Sequence, residues 1–215
     1  MYLLYTPRRL DDRSRKLANE GRYDYLLIES TGISEPVPVA QTFSFVSEDD
    51  NIDLSKFSYI DTMVKVVDCF NFFKDFGTSE LLIDRKLTNM EDDFRTIVNL
   101  LTDQVEFANV IILNKTDLVD ASAVGLLKAF ILKLNPNAKI ITSDFSRVSP
   151  KEILNTNLFD FEEAQNSAGW QKELEGGTHT PETEEYGISS FVFRGQKPFH
   201  PERFWKNLNE EYPNN

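Results

Sequence analysis

The sequence predicts an α/β fold on a mostly parallel sheet, and three observations carry that prediction. Four short apolar runs punctuate the chain, segments of helical periodicity lie between them, and the runs end in polar residues instead of hairpin turns. Parallel neighbours need long crossover connections, and the helical segments supply them. In chain order, Leu10 and Leu17 mark a short basic helix, followed by a first strand at 25–28 (Tyr-Leu-Leu-Ile). A second strand is expected at 63–67. Met90, Phe94, Ile97, Val98, Leu101 and Val105 then share one helical face. The third strand, 110–113, is apolar throughout like the first, the pattern of a strand covered on both faces. Val124, Leu127, Ile131 and Leu134 define the next helix, and 139–141 the fourth strand.

From 160 to 185 the composition changes. Eight acidic residues against one basic, with Gly176-Gly177 and Pro181, predict a solvated acidic linker. Beyond it, 188–193 has strand character. Residues 201–212 have helical character, with Pro201 in the first turn and Phe204, Leu208 and Tyr212 on one side. The expected organisation is a partial α/β domain over 1–159, the linker over 160–185, and the start of a smaller α+β domain over 186–215.

The chain has 215 residues, with 35 acidic and 23 basic side chains and a net charge of −12. That balance excludes a nucleic-acid partner as the expectation, because phosphate binding needs a basic face. At 40% hydrophobic residues, including 17 phenylalanines, there is ample material for a core. No apolar run approaches the roughly 20 residues that span a bilayer, so no membrane segment is expected. Residues 1–10 carry arginines and no long apolar core, so no secretory leader is expected either. Cys69 is the lone thiol, which makes a reducing cytoplasm the default compartment.

The sharpest chemical signal is Asn114-Lys115-Thr116-Asp117, directly after an apolar strand. A carboxylate at Asp117 can accept from the guanine N1–H and exocyclic amine together, a donor pair adenine lacks. The Asn114 amide can serve another edge of the base and brace neighbouring loops, while the stem of Lys115 can lie along the ring. A polar turn after a strand is the alternative reading. The second signal is Glu29-Ser30-Thr31-Gly32, again at a strand end. Glu29 can hold Mg²⁺ through water, and the Gly32 N–H can approach a terminal phosphate with no side chain in the way. An ordinary turn is the alternative there too. The two signals in this order point to a nucleoside triphosphatase of the P-loop type.

Residues 23–43, reading YDYLLIESTGISEPVPVAQTF, resemble the Walker-B strand and following loop of CobW-type GTPases, nucleotide-dependent metallochaperones linked to zinc and cobalt. The resemblance continues through 63–68, Asp103-Gln104-Val105-Glu106, the 114–117 motif, Leu134-Asn135-Pro136, and the stretches 186–190 and 198–201. It implies a P-loop GTPase domain that binds GTP with Mg²⁺, hydrolyses it slowly and delivers zinc or cobalt to a metalloprotein client. By that resemblance Asn114, Lys115 and Asp117 hold guanine, while Glu29 and Gly32 serve Mg²⁺ and the γ-phosphate.

The sequence departs from the family pattern twice. None of the nine glycines is followed by lysine, so the G-x-x-x-x-G-K-[ST] loop that cradles phosphates is missing. The C-x-C-C metal motif is absent as well: the corresponding residues are Tyr2-Leu3-Leu4-Tyr5, none of which supplies a thiolate. Of the soft ligands present, Cys69 reads as a small buried residue, His200 as a helix-entry residue and His179 as part of a solvated loop. Phe70, Phe72, Phe73 and Phe76 read as packing residues rather than a stacking surface. The expectation is a fragment with negligible GTP turnover by itself. It is also expected to be marginally stable, because the family's central phosphate-loop strand has no candidate here, and therefore prone to self-association or completion by another chain. The alternative is a non-catalytic guanine-nucleotide-binding or protein-interaction scaffold.

Overall fold

A computed structural model describes residues 14, 16–30, 32, 34–43, 56, 58–82, 84, 96–166 and 200–206. A three-stranded parallel sheet organises them: β1 (Val64–Asp68), β2 (Val110–Asn114) and β3 (Lys139–Thr142), side by side in that order. Val64 sits opposite Val110, and Val110 opposite Lys139, so the carboxyl ends of all three strands line one edge. Among the described residues the helices named alongside them are α1 (Pro36–Thr42), α2 (Phe72–Phe76), α3 (Ile97–Glu106), α4 (Ala121–Leu134), α5 (Phe161–Gln165) and α6 (Pro201–Lys206).

Central β2 is apolar on both faces because both are covered. Val110, Ile111, Ile112 and Leu113 are all buried. On one face Val67, Ile111 and Leu113 pack with Val105 of α3 and Leu127 and Ile131 of α4. Helix α3 starts at Ile97 because the Thr96 side chain accepts from the Asn99 N–H, closing one of the helix's open donors. Asp120 caps α4 in the same way, through the Ala123 N–H. Where α4 ends, the buried Asn135 amide donates to the carbonyls of Val105, Glu106 and Ala108, 2.8–3.0 Å away, tying the end of α3 to the entry of β2. Phe72, Phe73 and Phe76 of α2 gather around Phe130 of α4 with ring centroids 4.8–6.0 Å apart. The aromatic cluster is thus a packing joint, although Phe70 and Phe73 keep exposed flanks. Cys69 is buried, as expected.

Two expectations need correction. Residues 25–28 form no strand, and Leu27 is 71% exposed. An apolar run becomes a strand only when a neighbour offers its ladder, and none of the three strands pairs with 25–28. The outer edge of β1 is correspondingly unpaired among the described residues, leaving Val66 51% exposed. The acidic stretch expected as solvated from 160 onward begins with a packed turn. Asp160 caps α5, and Ala164 is buried with Val37 and Ala40. The helix expected to include Met90 and Phe94 is described from Ile97 only, and those two residues lie outside the described set. Also outside it are Leu10, 2–5, His179, 188–193, Leu208 and Tyr212. Leu17 lies in a helical turn at 16–19. No described helix is long and apolar enough to cross a membrane.

Candidate functional site

The carboxyl edge of the sheet gathers Asp68, Asn114 and the loop after β3, and parallel α/β sheets bind ligands at this edge. Lys115 turns the chain sharply there, with φ 62° and ψ 36° in the left-handed region. The turn sends its ammonium back across the strand ends to Asp68, 2.6 Å away. The Asp68 carboxylate also accepts from the backbone N–H groups of Phe70 and Asn71 and from the Asn71 side chain. Burial alone pushes this carboxyl up. The hydrogen bonds from Lys115, the Asn71 side chain and the two backbone N–H groups outweigh burial and hold it below the usual carboxylate range.

Asn114 is fixed from the other side. Its Nδ2 donates to Ser146 Oγ at 2.9 Å, and its Oδ1 accepts from the Ser146 N–H at 2.8 Å. Thr116 adds two bonds to the Ser143 carbonyl, from its N–H at 3.2 Å and its hydroxyl at 3.1 Å. These contacts stitch the loop after β2 to the loop after β3, in which Phe145 and Ser146 both take left-handed φ values of 48° and 54°. Consecutive left-handed residues without glycine are costly and persist only where surroundings enforce them. Phe145 is held 73% exposed, with the Arg147 guanidinium 5.5 Å from its ring centroid.

Asp117 lies in the short 3₁₀ turn Thr116–Leu118 and is exposed. Asn114 is committed to Ser146 and Lys115 to Asp68, whereas the Asp117 carboxylate has no hydrogen-bond or ion-pair partner among the described residues. A carboxylate left open between two braced loops is the chemistry a paired donor edge requires. Sequence reading missed Ser146, Phe145 and Arg147. Ser143-Asp144-Phe145-Ser146 repeats the signature of a polar cluster after an apolar strand, and that signal was available.

The other predicted half is held through Gln104. The Gly32 carbonyl accepts from Gln104 Nε2 at 3.0 Å, and Gln104 Oε1 accepts from Lys65 Nζ. Gln104 is near the end of α3, three residues (107–109) separate that helix from β2, and the Asn109 N–H donates to the Met63 carbonyl ahead of β1. Gly32 is therefore tied through Gln104 to Lys65, the second residue of β1, whereas Asp117 follows the carboxyl end of β2. Glu29 is exposed and without a described partner, and the space around the Gly32 Cα is open. The residues present fit a guanine base at the carboxyl edge. Glu29 makes no contact with the guanine loop among the described residues. Among the described residues no three His, Cys, Asp or Glu side chains cluster to hold a metal, and His200 stands exposed ahead of α6.

A parallel α/β sheet with a braced Asn-Lys-Thr-Asp loop at its carboxyl edge defines the class: a P-loop GTPase-type nucleotide-binding domain. Within that class the chain belongs to the CobW/HypB/UreG family, whose nucleotide-binding domain is matched by residues 8–142. It is 49% identical over 188 residues to the zinc-regulated GTPase metalloprotein activator 1 of Dictyostelium discoideum, covering 87% of this chain and 39% of that protein. The protein of the same name from Schizosaccharomyces pombe is 35% identical over 151 residues, covering 70% of this chain and 31% of the relative. The zinc chaperone CobW of a Sinorhizobium species is 31% identical over 120 residues, covering 54% and 32%. The chain thus spans well under half the length of these relatives. No solved structure matches it significantly.

Proposed function

We propose that this chain is the guanine-reading part of a GTP-binding and GTP-hydrolysing metallochaperone that delivers zinc or cobalt to a metalloprotein client in the cytoplasm. Asp117 receives the N1–H and amine of guanine, Asn114 holds the flanking loops in register, and the stem of Lys115 lies under the base. Glu29 and Gly32 serve Mg²⁺ and the γ-phosphate in a working GTPase. The single observation that supports this reading is the open Asp117 carboxylate between a committed Asn114 and a committed Lys115. The names of the relatives support the GTPase and zinc-linked parts of it.

Calorimetry tests it. The chain binds GDP and guanosine, and Asp117→Asn inverts the preference toward xanthine nucleotides by about tenfold or more, since the amide now donates where the carboxylate accepted. Equal affinity of the Asp117→Asn variant for guanine and xanthine nucleotides would refute the assignment. A second reading, a scaffold without turnover, draws support from the Asn114–Ser146 and Lys115–Asp68 contacts, which brace the loops through protein side chains alone. GDP that binds no better than guanosine, with no GTP hydrolysis, favours that second reading.

A further inference from the structure

The Lys115–Asp68 pair is short but only partly buried, with the lysine side chain 45% and the aspartate side chain 32% exposed. An ion pair so open to water contributes little to stability, so stability alone does not explain a geometry this well fixed. The aspartate is fixed before the lysine reaches it. Asp68 Oδ1 accepts from the N–H groups of Phe70 at 2.9 Å and Asn71 at 3.2 Å, and Oδ2 accepts from Asn71 Nδ2 at 2.9 Å. These bonds close the turn after β1 and orient Oδ2, which takes the Lys115 ammonium at 2.6 Å. The lysine is held at its other end too. Its backbone forms the left-handed turn after β2, its carbonyl accepts from the Leu118 N–H, and the next residue, Thr116, is bonded to the Ser143 carbonyl. The four methylenes are therefore strung between the ends of β2 and β1, where Asn114 and Asp68 are register partners. A stem held at both ends presents apolar surface to a ligand with little rotamer freedom left to lose.

We propose that Asp68, oriented by Asn71, is a positioning residue for purine binding: it pins the Lys115 ammonium so that the lysine stem forms a preset apolar floor for the base read by Asp117. The role of that floor rests on the guanine reading proposed above, but the pinning itself does not. Asp68 also neutralises the ammonium, so the floor recognises the flat face of a base rather than an anion. Without Asp68 the base has to order the stem on binding.

The test uses the whole chain and guanosine, which has no phosphate to attract a released ammonium. Asp68→Asn keeps an oxygen for the Phe70 and Asn71 N–H groups but turns an NH₂ toward Lys115, which frees the lysine. Calorimetry is expected to show guanosine affinity lowered about threefold to tenfold, the cost of ordering one long side chain. Lys115→Met has a stem with no charge to anchor, and in that background Asp68→Asn lowers affinity no further. Nitrogen relaxation of the Lys115 ammonium reads the pinning with no ligand added: rigid in the parent, mobile in Asp68→Asn. Asn71→Ala removes two of the bonds that orient the turn only in part, keeps Asp68, and shows the same loosening at smaller size. If Asp68→Asn does not fold, Asn71→Ala decides, and an ammonium there as rigid as the parent's overturns the proposal. The proposal also fails if Asp68→Asn folds and leaves the ammonium rigid or guanosine affinity undiminished. An equal loss of affinity in the Lys115→Met background overturns it as well, because the aspartate then acts on the fold and not through the lysine. A parent that binds no guanosine refutes the proposed function, and the ammonium signal still decides the pinning.

Discussion

Asp61 shows how one side chain holds segments that are far apart in sequence. It is buried, and its carboxylate accepts from Tyr25 Oη at 2.7 Å, the Asn157 N–H at 2.6 Å and the Thr156 N–H at 3.1 Å. Its backbone carbonyl takes the N–H groups of Leu158 and Phe159. Burial alone pushes the carboxyl up, but the Tyr25 hydroxyl and the N–H groups of Asn157 and Thr156 hold it below the usual range. Burial, then Asp61, pushes the Tyr25 phenol up to about 12. The signs differ. A carboxyl depressed on folding contributes stability that is whole above its unfolded value of 3.8 and is lost as pH falls through the lower folded value. A phenol raised on folding contributes below pH 10 and loses that contribution as pH rises toward about 12. Asp61→Ala is expected to cost about 3 kcal/mol at pH 7, because it orphans several donors at once. Urea melts across pH 3–7 check this, and the variant's stability should fall less steeply with acid than the parent's. Parallel acid limbs would show that Asp61 does not carry the effect.

At the scale of elements, what the sequence revealed and what it hid divide along the line between local and nonlocal forces. β2, β3 and α4 were legible because each announces itself within a few residues, the strands by apolar runs and the helix by its spacing. The run at 25–28 has the same composition as a buried strand yet pairs with none of the described strands, because a strand's partner is not written in its own residues. The site divides in the same way. Asn114 and Asp117 stand out in the sequence, but the Asn114–Ser146 and Lys115–Asp68 contacts arise only when three strand ends are side by side. Asn135 is the corresponding joint between helices, since one amide serves the carbonyls of Val105, Glu106 and Ala108. Asn135→Ala leaves those carbonyls buried with less to accept and is expected to cost about 2–3 kcal/mol. Hydrogen exchange should localise the loss to the α3 end and the start of β2, leaving α2 as protected as before. Uniform deprotection would argue that the joint acts on the whole unit.

For the whole molecule, two features oppose each other. Among the described residues the outer edge of β1 has no neighbouring strand, Val64 and Val66 are exposed on one face of it, and such an edge templates pairing with another chain. A net charge of −12 keeps copies apart over roughly a Debye length, about 10 Å at 0.1 M salt. Edge pairing acts at contact, whereas repulsion acts at range and is screened, so salt decides between them. The chain is therefore expected to sediment as a monomer at low ionic strength and to associate as salt rises through about 0.1–0.5 M. Val66→Lys should suppress that association, because an edge lysine blocks the approach of a second strand. It should leave the thermal midpoint nearly unchanged, since Val66 is already 51% exposed and little burial is lost. Sedimentation velocity of the two proteins across the salt series is the measurement. Association that is indifferent to Val66→Lys would place the contact on another surface, and the exposed flanks of Phe70 and Phe73 would be the next to substitute.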